Sequence, residues 1–98
     1  MKFVAVDPGY DKCGIALMDD RGYVYEKHRI PVGHLFQKIK QIIEREPQIR
    51  TVALGNGTGY KQVLKLLHES FPEIPVEIVE EKDSTRHARR LYLREHPL

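Results

Sequence analysis

A carboxylate stands at the end of the first apolar segment of the chain, where it could bind a cation or take part in catalysis. Asp7 follows Phe3-Val4-Ala5-Val6 and precedes Pro8-Gly9. A carboxylate at the end of a buried strand costs free energy unless it is paired, hydrogen-bonded or bound to a metal ion. Two interpretations stay open. Asp7 is either a functional carboxylate or a residue that caps the turn before glycine.

A glycine-rich segment could bind phosphate. The run Gly55-Asn56-Gly57-Thr58-Gly59 lies between an apolar segment and a helical one, and backbone N–H groups at the start of a helix attract anions. It is not a Walker A loop, because Lys61 lacks the required neighbours, and Tyr60 stands where a dinucleotide fingerprint has its last glycine. The segment is therefore either a tight turn or a phosphate contact. The candidate nucleic-acid-binding residues of this segment, which would contact the phosphate backbone, are Gly55, Asn56, Gly57, Thr58 and Lys61.

Two adjacent glutamates end a later apolar segment. Glu80 and Glu81 follow residues 76–79, which read as a buried strand. Adjacent strand residues face opposite ways, so only one glutamate is expected to point toward Asp7. The alternative is an acidic strand end that faces solvent.

Arginines gather on one side of the last predicted helix. Ala88, Leu91 and Tyr92 recur at helical spacing on the other side, and Leu93 falls among the arginines. Arginine favours phosphate recognition, so the strip is either a nucleic-acid contact or a solvated face. The candidate nucleic-acid-binding residues in it are Arg86, Arg89 and Arg90.

The elements that must position these residues follow from periodicity and turn signals. Three strands joined by tight turns predict an antiparallel meander, and the later strands alternate with helices, so they should run parallel to the first. The strands are predicted at residues 2–7, 13–18, 23–30, 51–54 and 76–79, and the helices at 32–46, 58–70 and 83–95. Thr58 is the predicted N-cap of the second helix. The order βββαβαβα brings Asp7, Gly55 and Glu80/Glu81 to one edge of a sheet, where ligands bind.

Length and composition limit the function classes. The chain has 98 residues, enough for one domain, and a net charge of only +2, so nucleic-acid affinity would depend on how charge is distributed. Cys13 is the single cysteine, so it forms no internal disulfide and is expected to be a small buried thiol in a reduced, cytoplasmic protein. The apolar run at residues 3–6 is too short for a signal peptide or a membrane span, so no membrane partner is expected.

Three segments resemble, in order, the YqgF/RuvX group, RNase H-like proteins related to Holliday junction resolvases. Val6-Asp7-Pro8-Gly9, followed by Gly14-Ile15-Ala16, resembles the opening hairpin of that group. Residues 53–58 resemble its fourth-strand loop, especially that of the YqgF-like domain in Tex proteins. Residues 79–85 with Ala88 resemble its Asp-Glu-Arg-x-(Ser/Thr)-Thr-x-x-Ala segment.

The resemblance implies a metal-dependent nuclease. Its fold would be a single RNase H-like α/β domain over residues 1–98, with a mixed five-stranded sheet and helices on both faces. The group's last helix, which would follow the one at 83–95, has no counterpart in residues 1–98. The implied substrate is structured RNA or DNA, such as the 5′ end of precursor 16S rRNA. Asp7 and Glu81 would bind Mg²⁺ or Mn²⁺, and Asp7, Glu81 and Glu80 would be catalytic. Lys82 stands in place of the group's arginine, and no aspartate follows Tyr92 to match its further carboxylate.

Two other function classes stay open. One is a nucleic-acid-binding module of the RNase H-like type without catalysis, which would bind through the arginine strip. The other is a protein interaction domain, in which Leu93 and the aromatic third strand would mark a homodimer surface.

Overall fold

Three strands form an antiparallel meander at the start of the chain. The computed structural model describes residues 1–80. In it, β1 (Lys2–Asp7) pairs with β2 (Lys12–Asp19), and β2 pairs with β3 (Val24–Pro31). Short turns at residues 8–11 and 20–23 join them, as the Pro-Gly and Asp-Asp-Arg-Gly signals predict. The carboxyl end of β1 and the start of β2 therefore lie at the same edge of the sheet.

Parallel strands and helices complete the sheet. A short 3₁₀ turn (Val32–His34) leads into α1 (Leu35–Arg45). Then follow β4 (Val52–Gly55), α2 (Tyr60–Ser70) and β5 (Val76–Val79). The sheet order is β3-β2-β1-β4-β5, with β4 parallel to β1 and β5 parallel to β4. The predicted fold class, an α/β domain on a five-stranded mixed sheet, is confirmed.

The two described helices pack on one face of the sheet. Val4 and Val6 alternate along β1 and are buried, because their face meets the apolar side of both helices. The fully buried helix residues in this core are Leu35, Ile39, Ile42, Val63 and Leu67. Asp7 follows Val6, so it lies on the opposite face of the sheet. The predicted third helix lies outside residues 1–80.

The start of α2 differs from the prediction. Gly59, not Thr58, is the N-cap, and no side chain caps the helix. Gly59 has a φ of 78°, a left-handed conformation that favours glycine. The predicted Thr58 cap is wrong because the glycine-rich turn continues one residue further than the polar pattern indicates.

No helix within residues 1–80 is long and apolar enough to span a membrane.

Candidate functional site

The Asp7 carboxylate lies between two glycines at the carboxyl end of β1. Asp7 pairs with Gly14 on β2, and Gly55 follows the residue that pairs with Val6 on β4. A Cβ added at Gly14 would lie 3.5 Å from the Cβ of Asp7, and one added at Gly55 would lie 4.0 Å from Asp7 Oδ1. Asp7 itself is exposed. We call this group, Asp7 with Gly14 and Gly55, the Asp7 edge. It is an open carboxylate with only backbone on either side.

The loops that follow β1 and β4 meet beside the Asp7 edge. A Cβ added at Gly59 would lie 3.4 Å from the carbonyl oxygen of Gly9 and 3.9 Å from Cδ1 of Tyr10. A Cβ added at Gly9 would lie only 2.3 Å from the carbonyl oxygen of Lys12, so no other residue fits there without a backbone shift. The approach of Gly59 to Gly9 and Tyr10 places loop 8–11 and loop 56–59 side by side.

The glycine-rich segment is a turn that is hydrogen-bonded both within itself and to β5. The Asn56 N–H donates to the Val79 carbonyl at 2.8 Å, and the Tyr60 N–H donates to the Gly57 carbonyl at 3.0 Å. Gly55 and Gly57 are buried. The predicted phosphate-binding residues that reach the surface are Asn56, Thr58 and Lys61. The backbone of the segment therefore forms the predicted tight turn. Contact with phosphate stays a prediction, and it would be made by Asn56, Thr58 and Lys61.

Glu80 lies two strands away from Asp7 in the sheet. Glu80 is exposed and follows β5, which pairs with β4 and not with β1. Two strand spacings place their backbones about 10 Å apart, and the catalytic role of Glu80 stays a prediction. The remaining predicted site residues lie outside residues 1–80 and stay predictions: Glu81, Arg86, Arg89 and Arg90.

The described residues offer one carboxylate to a cation at this edge. Within residues 1–80, no three His, Cys, Asp or Glu side chains cluster in a way that could hold a metal ion. Mg²⁺ is commonly bound by one or two carboxylates together with substrate phosphates. Asp7 therefore fits a cation that shares its coordination with a phosphate ligand. The predicted pairing of Asp7 with Glu81 on a metal remains a prediction.

Cys13 lies next to this edge and is buried. It is 1% exposed, as the composition predicts for a lone thiol. Burial raises the pKa of the thiol, and the nearby negative charge of Asp7 raises it further. Because only the thiolate is nucleophilic, both effects disfavour a catalytic role for Cys13.

Sequence reasoning did not identify Gly14 and Tyr10 as part of the site. A glycine inside a strand often marks a position where another backbone or a ligand comes close. Gly14, in the middle of an apolar run, could have been identified on this basis. Tyr10 had no signal of its own, because its proximity to Gly59 arises only when the two loops meet in the fold.

No protein-family model matches the sequence, and no curated protein matches it either. Solved structures share its fold. A protein described as a sugar kinase from Cytophaga hutchinsonii matches with a TM-score of 0.60 and 13% identity, over 82% of this chain and 36% of that one. A ROK family protein from Streptococcus pneumoniae, solved in complex with sucrose, matches with a TM-score of 0.62 and 16% identity, over 99% and 39%. YeaZ from Pseudomonas aeruginosa matches with a TM-score of 0.56 and 19% identity, over 97% and 49%. The chain thus spans less than half the length of each of these proteins.

These matches correct the family assignment. The fold is similar to sugar kinases, ROK proteins and YeaZ, so the resemblance to the YqgF/RuvX group is wrong, as is the RNase H-like nuclease function it implied. The roles in rRNA processing and junction resolution that this resemblance implied are therefore wrong as well. The motifs misled because each is short, and an aspartate after a strand and glycines in turns occur in many α/β sheets. The binding-module and interaction-domain alternatives gain no support from the matches.

Proposed function

We propose that the Asp7 edge binds the phosphate groups of a nucleotide, together with Mg²⁺ or Mn²⁺. One observation carries this proposal: an exposed carboxylate stands at a strand end between two residues without side chains. A ligand can therefore approach both the carboxylate and the backbone around it. Ligands of open α/β sheets bind at the carboxyl ends of parallel strands, which is where β1 and β4 place Asp7 and Gly55.

The likeness of the fold to sugar kinases supports the choice of ligand. A kinase must hold the phosphates of a nucleotide by positioning and by charge, and a divalent cation bridges those phosphates. Because the chain spans 36% of the Cytophaga protein and 39% of the Streptococcus one, phosphoryl transfer and its acceptor are properties of those longer proteins. For this chain, the proposal is limited to binding the nucleotide phosphates.

The charge of Asp7 dictates how the site would work. A carboxylate and a phosphate repel each other, so Asp7 helps to bind phosphate only when a cation lies between them. Its role is to hold and orient that cation, while loops 8–11 and 56–59 approach the phosphate oxygens. Lys12 and Lys61 are exposed at the starts of β2 and α2 and add positive charge near these loops. Nucleotide binding is thus expected to require the divalent cation.

An Asp7→Asn variant tests this proposal. It keeps the size of the side chain but loses the negative charge that the cation needs. We expect titration calorimetry to show MgATP binding weakened about tenfold or more, since a charge-assisted contact contributes roughly 1.5–3 kcal/mol. Glu73→Gln is the matched control, because Glu73 is an exposed carboxylate between α2 and β5, outside loops 8–11 and 56–59, and should leave the affinity unchanged. Equal affinity in the Asp7 variant, or binding of ATP that ignores the divalent cation, would refute the proposal.

A cytoplasmic location belongs to the same proposal. Nucleotide binding needs a compartment that contains nucleotides, and the lone, buried Cys13 is compatible with a reducing one.

A further inference from the structure

We infer that Tyr10 is a stacking platform for the base of the bound nucleotide, so that the site selects nucleotides over bare polyphosphates. The inference rests on the proposed function, because it concerns the same ligand. It adds the part of the ligand that the Asp7 edge does not contact.

The Tyr10 ring is exposed without a structural reason. It is 80% exposed, more than Tyr23 at 61% or Tyr25 at 44%. The rings of Tyr23 and Tyr25 contact each other at 4.7 Å between centroids, and Lys2 Nζ lies 4.2 Å from the Tyr25 ring centre. Tyr10 has no ring, cation or hydrogen-bond partner within residues 1–80. The ring therefore keeps most of its surface open to a ligand.

The position of the ring relates it to the Asp7 edge. Tyr10 is three residues after Asp7 in a tight hairpin, so the two α-carbons are at most about 10 Å apart. The ring lies 3.9 Å from the point where Gly59 would carry a Cβ. Since the left-handed φ of 78° favours glycine at residue 59, the space beside the ring stays free of a side chain. The side of the ring that faces residue 59 is too narrow for a flat group, so a base would stack on the solvent-exposed face of the ring, with its attached phosphates toward Asp7.

The chemistry of the ring points to a nucleobase. Bases of every type have a π face, and stacking on an aromatic side chain binds them without reading their identity. A bare polyphosphate has no such face and gains nothing from the ring. We therefore expect Tyr10 to increase the affinity for a nucleotide while leaving the affinity for inorganic tripolyphosphate unchanged.

The test compares ATP with inorganic tripolyphosphate, each with Mg²⁺, by titration calorimetry. Tyr10→Ser should weaken ATP binding about tenfold, within the range for one base on an aromatic ring, and leave tripolyphosphate binding unchanged. Tyr10→Phe should bind ATP like the native chain, because the ring remains. Tyr23→Ser is the matched control, since it removes an exposed tyrosine at the other end of β2 and should alter neither affinity.

The outcomes separate this inference from the proposed function. If both ligands bind the native chain and Tyr10→Ser lowers both affinities equally, Tyr10 is not a base platform. The same conclusion follows if Tyr10→Ser lowers neither affinity. In both cases the proposed phosphate site stands. If neither ligand binds the native chain, both the phosphate site and the platform are refuted. A serine variant that loses ATP affinity alone, with rescue by phenylalanine, supports the inference.

Discussion

At the scale of single residues, glycines shape the candidate site in two different ways. Gly9 is required by the backbone, since a Cβ there would lie 2.3 Å from the Lys12 carbonyl oxygen. Gly14 and Gly55 are not required in this way, because a Cβ at either would meet its nearest neighbour at an ordinary contact distance of 3.5 Å. The fold would accept alanine at both. What glycine provides at these two positions is open space around the Asp7 carboxylate.

Alanine substitutions are expected to distinguish these roles. Gly9→Ala forces a backbone shift, and we expect it to lower the free energy of unfolding by about 1–3 kcal/mol. Gly14→Ala should leave that free energy within about 1 kcal/mol of the native value or raise it, because glycine weakens a strand. The added methyl group should nevertheless weaken MgATP binding. Urea unfolding, with the m-value unchanged, measures the free energy of unfolding of both variants. Titration calorimetry measures their affinity for MgATP.

Gly33→Ala is the control for both effects, since a Cβ there would have no atom within 4 Å. It should be neutral or slightly stabilising, with native affinity. If Gly14→Ala bound MgATP as well as Gly33→Ala does, the open space around Asp7 would have no part in binding.

At the scale of elements, strands were predicted more accurately than the positions of site residues. The predicted bounds of β1 and β5 match the structure, because short apolar runs ended by turn residues leave little choice of register. The third strand, β3, forms one edge of the sheet. The distance from Glu80 to Asp7 was not predictable in the same way. It depends on β5 pairing with β4 on the side away from β1, which no local pattern of residues specifies.

The β2–β3 turn is held by one carboxylate. The backbone N–H groups of Arg21 and Tyr23 donate to Asp19 Oδ1 at 2.9 and 3.0 Å, and the Tyr25 hydroxyl donates to Oδ2 at 2.9 Å. Partial desolvation raises the pKa of Asp19. The hydrogen bonds from Tyr23, Tyr25 and Arg21 lower it by more, so the net pKa is below its ordinary value of 3.8. The ionised form therefore favours the folded state.

The stability contributed by Asp19 is expected to depend on pH. A depressed pKa in the folded state adds stability that is fully present above the unfolded pKa and is lost as pH falls through the folded one. Asp19→Asn keeps an oxygen for the two backbone donors but loses the charge. It should be less stable than the native chain at pH 7, and the difference should shrink below about pH 4. Urea unfolding from pH 7 to pH 3 measures this, with Asp11→Asn as the control. A difference that stays constant over this range would contradict the role of the charge.

At the scale of the whole molecule, the proposed binding groups and the stabilising groups of residues 1–80 lie at opposite ends of the sheet. The Asp7 edge is at the carboxyl ends of the parallel strands. The far end holds Asp19 together with ion pairs from the amino terminus to Asp20 at 3.0 Å and from Lys2 to Glu46 at 2.9 Å. The eight residues of β2 separate the two ends by roughly 23 Å.

The separation of the two ends predicts that ligand binding and far-end stability are independent. Sites more than about 10 Å apart without shared partners usually contribute additively to the free energy of unfolding. At 100 times its dissociation constant, MgATP should stabilise the native chain by about 2.7 kcal/mol, and it should stabilise Asp19→Asn by the same amount. Urea unfolding of the native chain and of Asp19→Asn, each with and without MgATP, measures whether the two effects are independent. A smaller ligand effect in the variant would mean that the sheet transmits strain between its ends. In that case, the β2–β3 turn would have to be counted as part of the binding site.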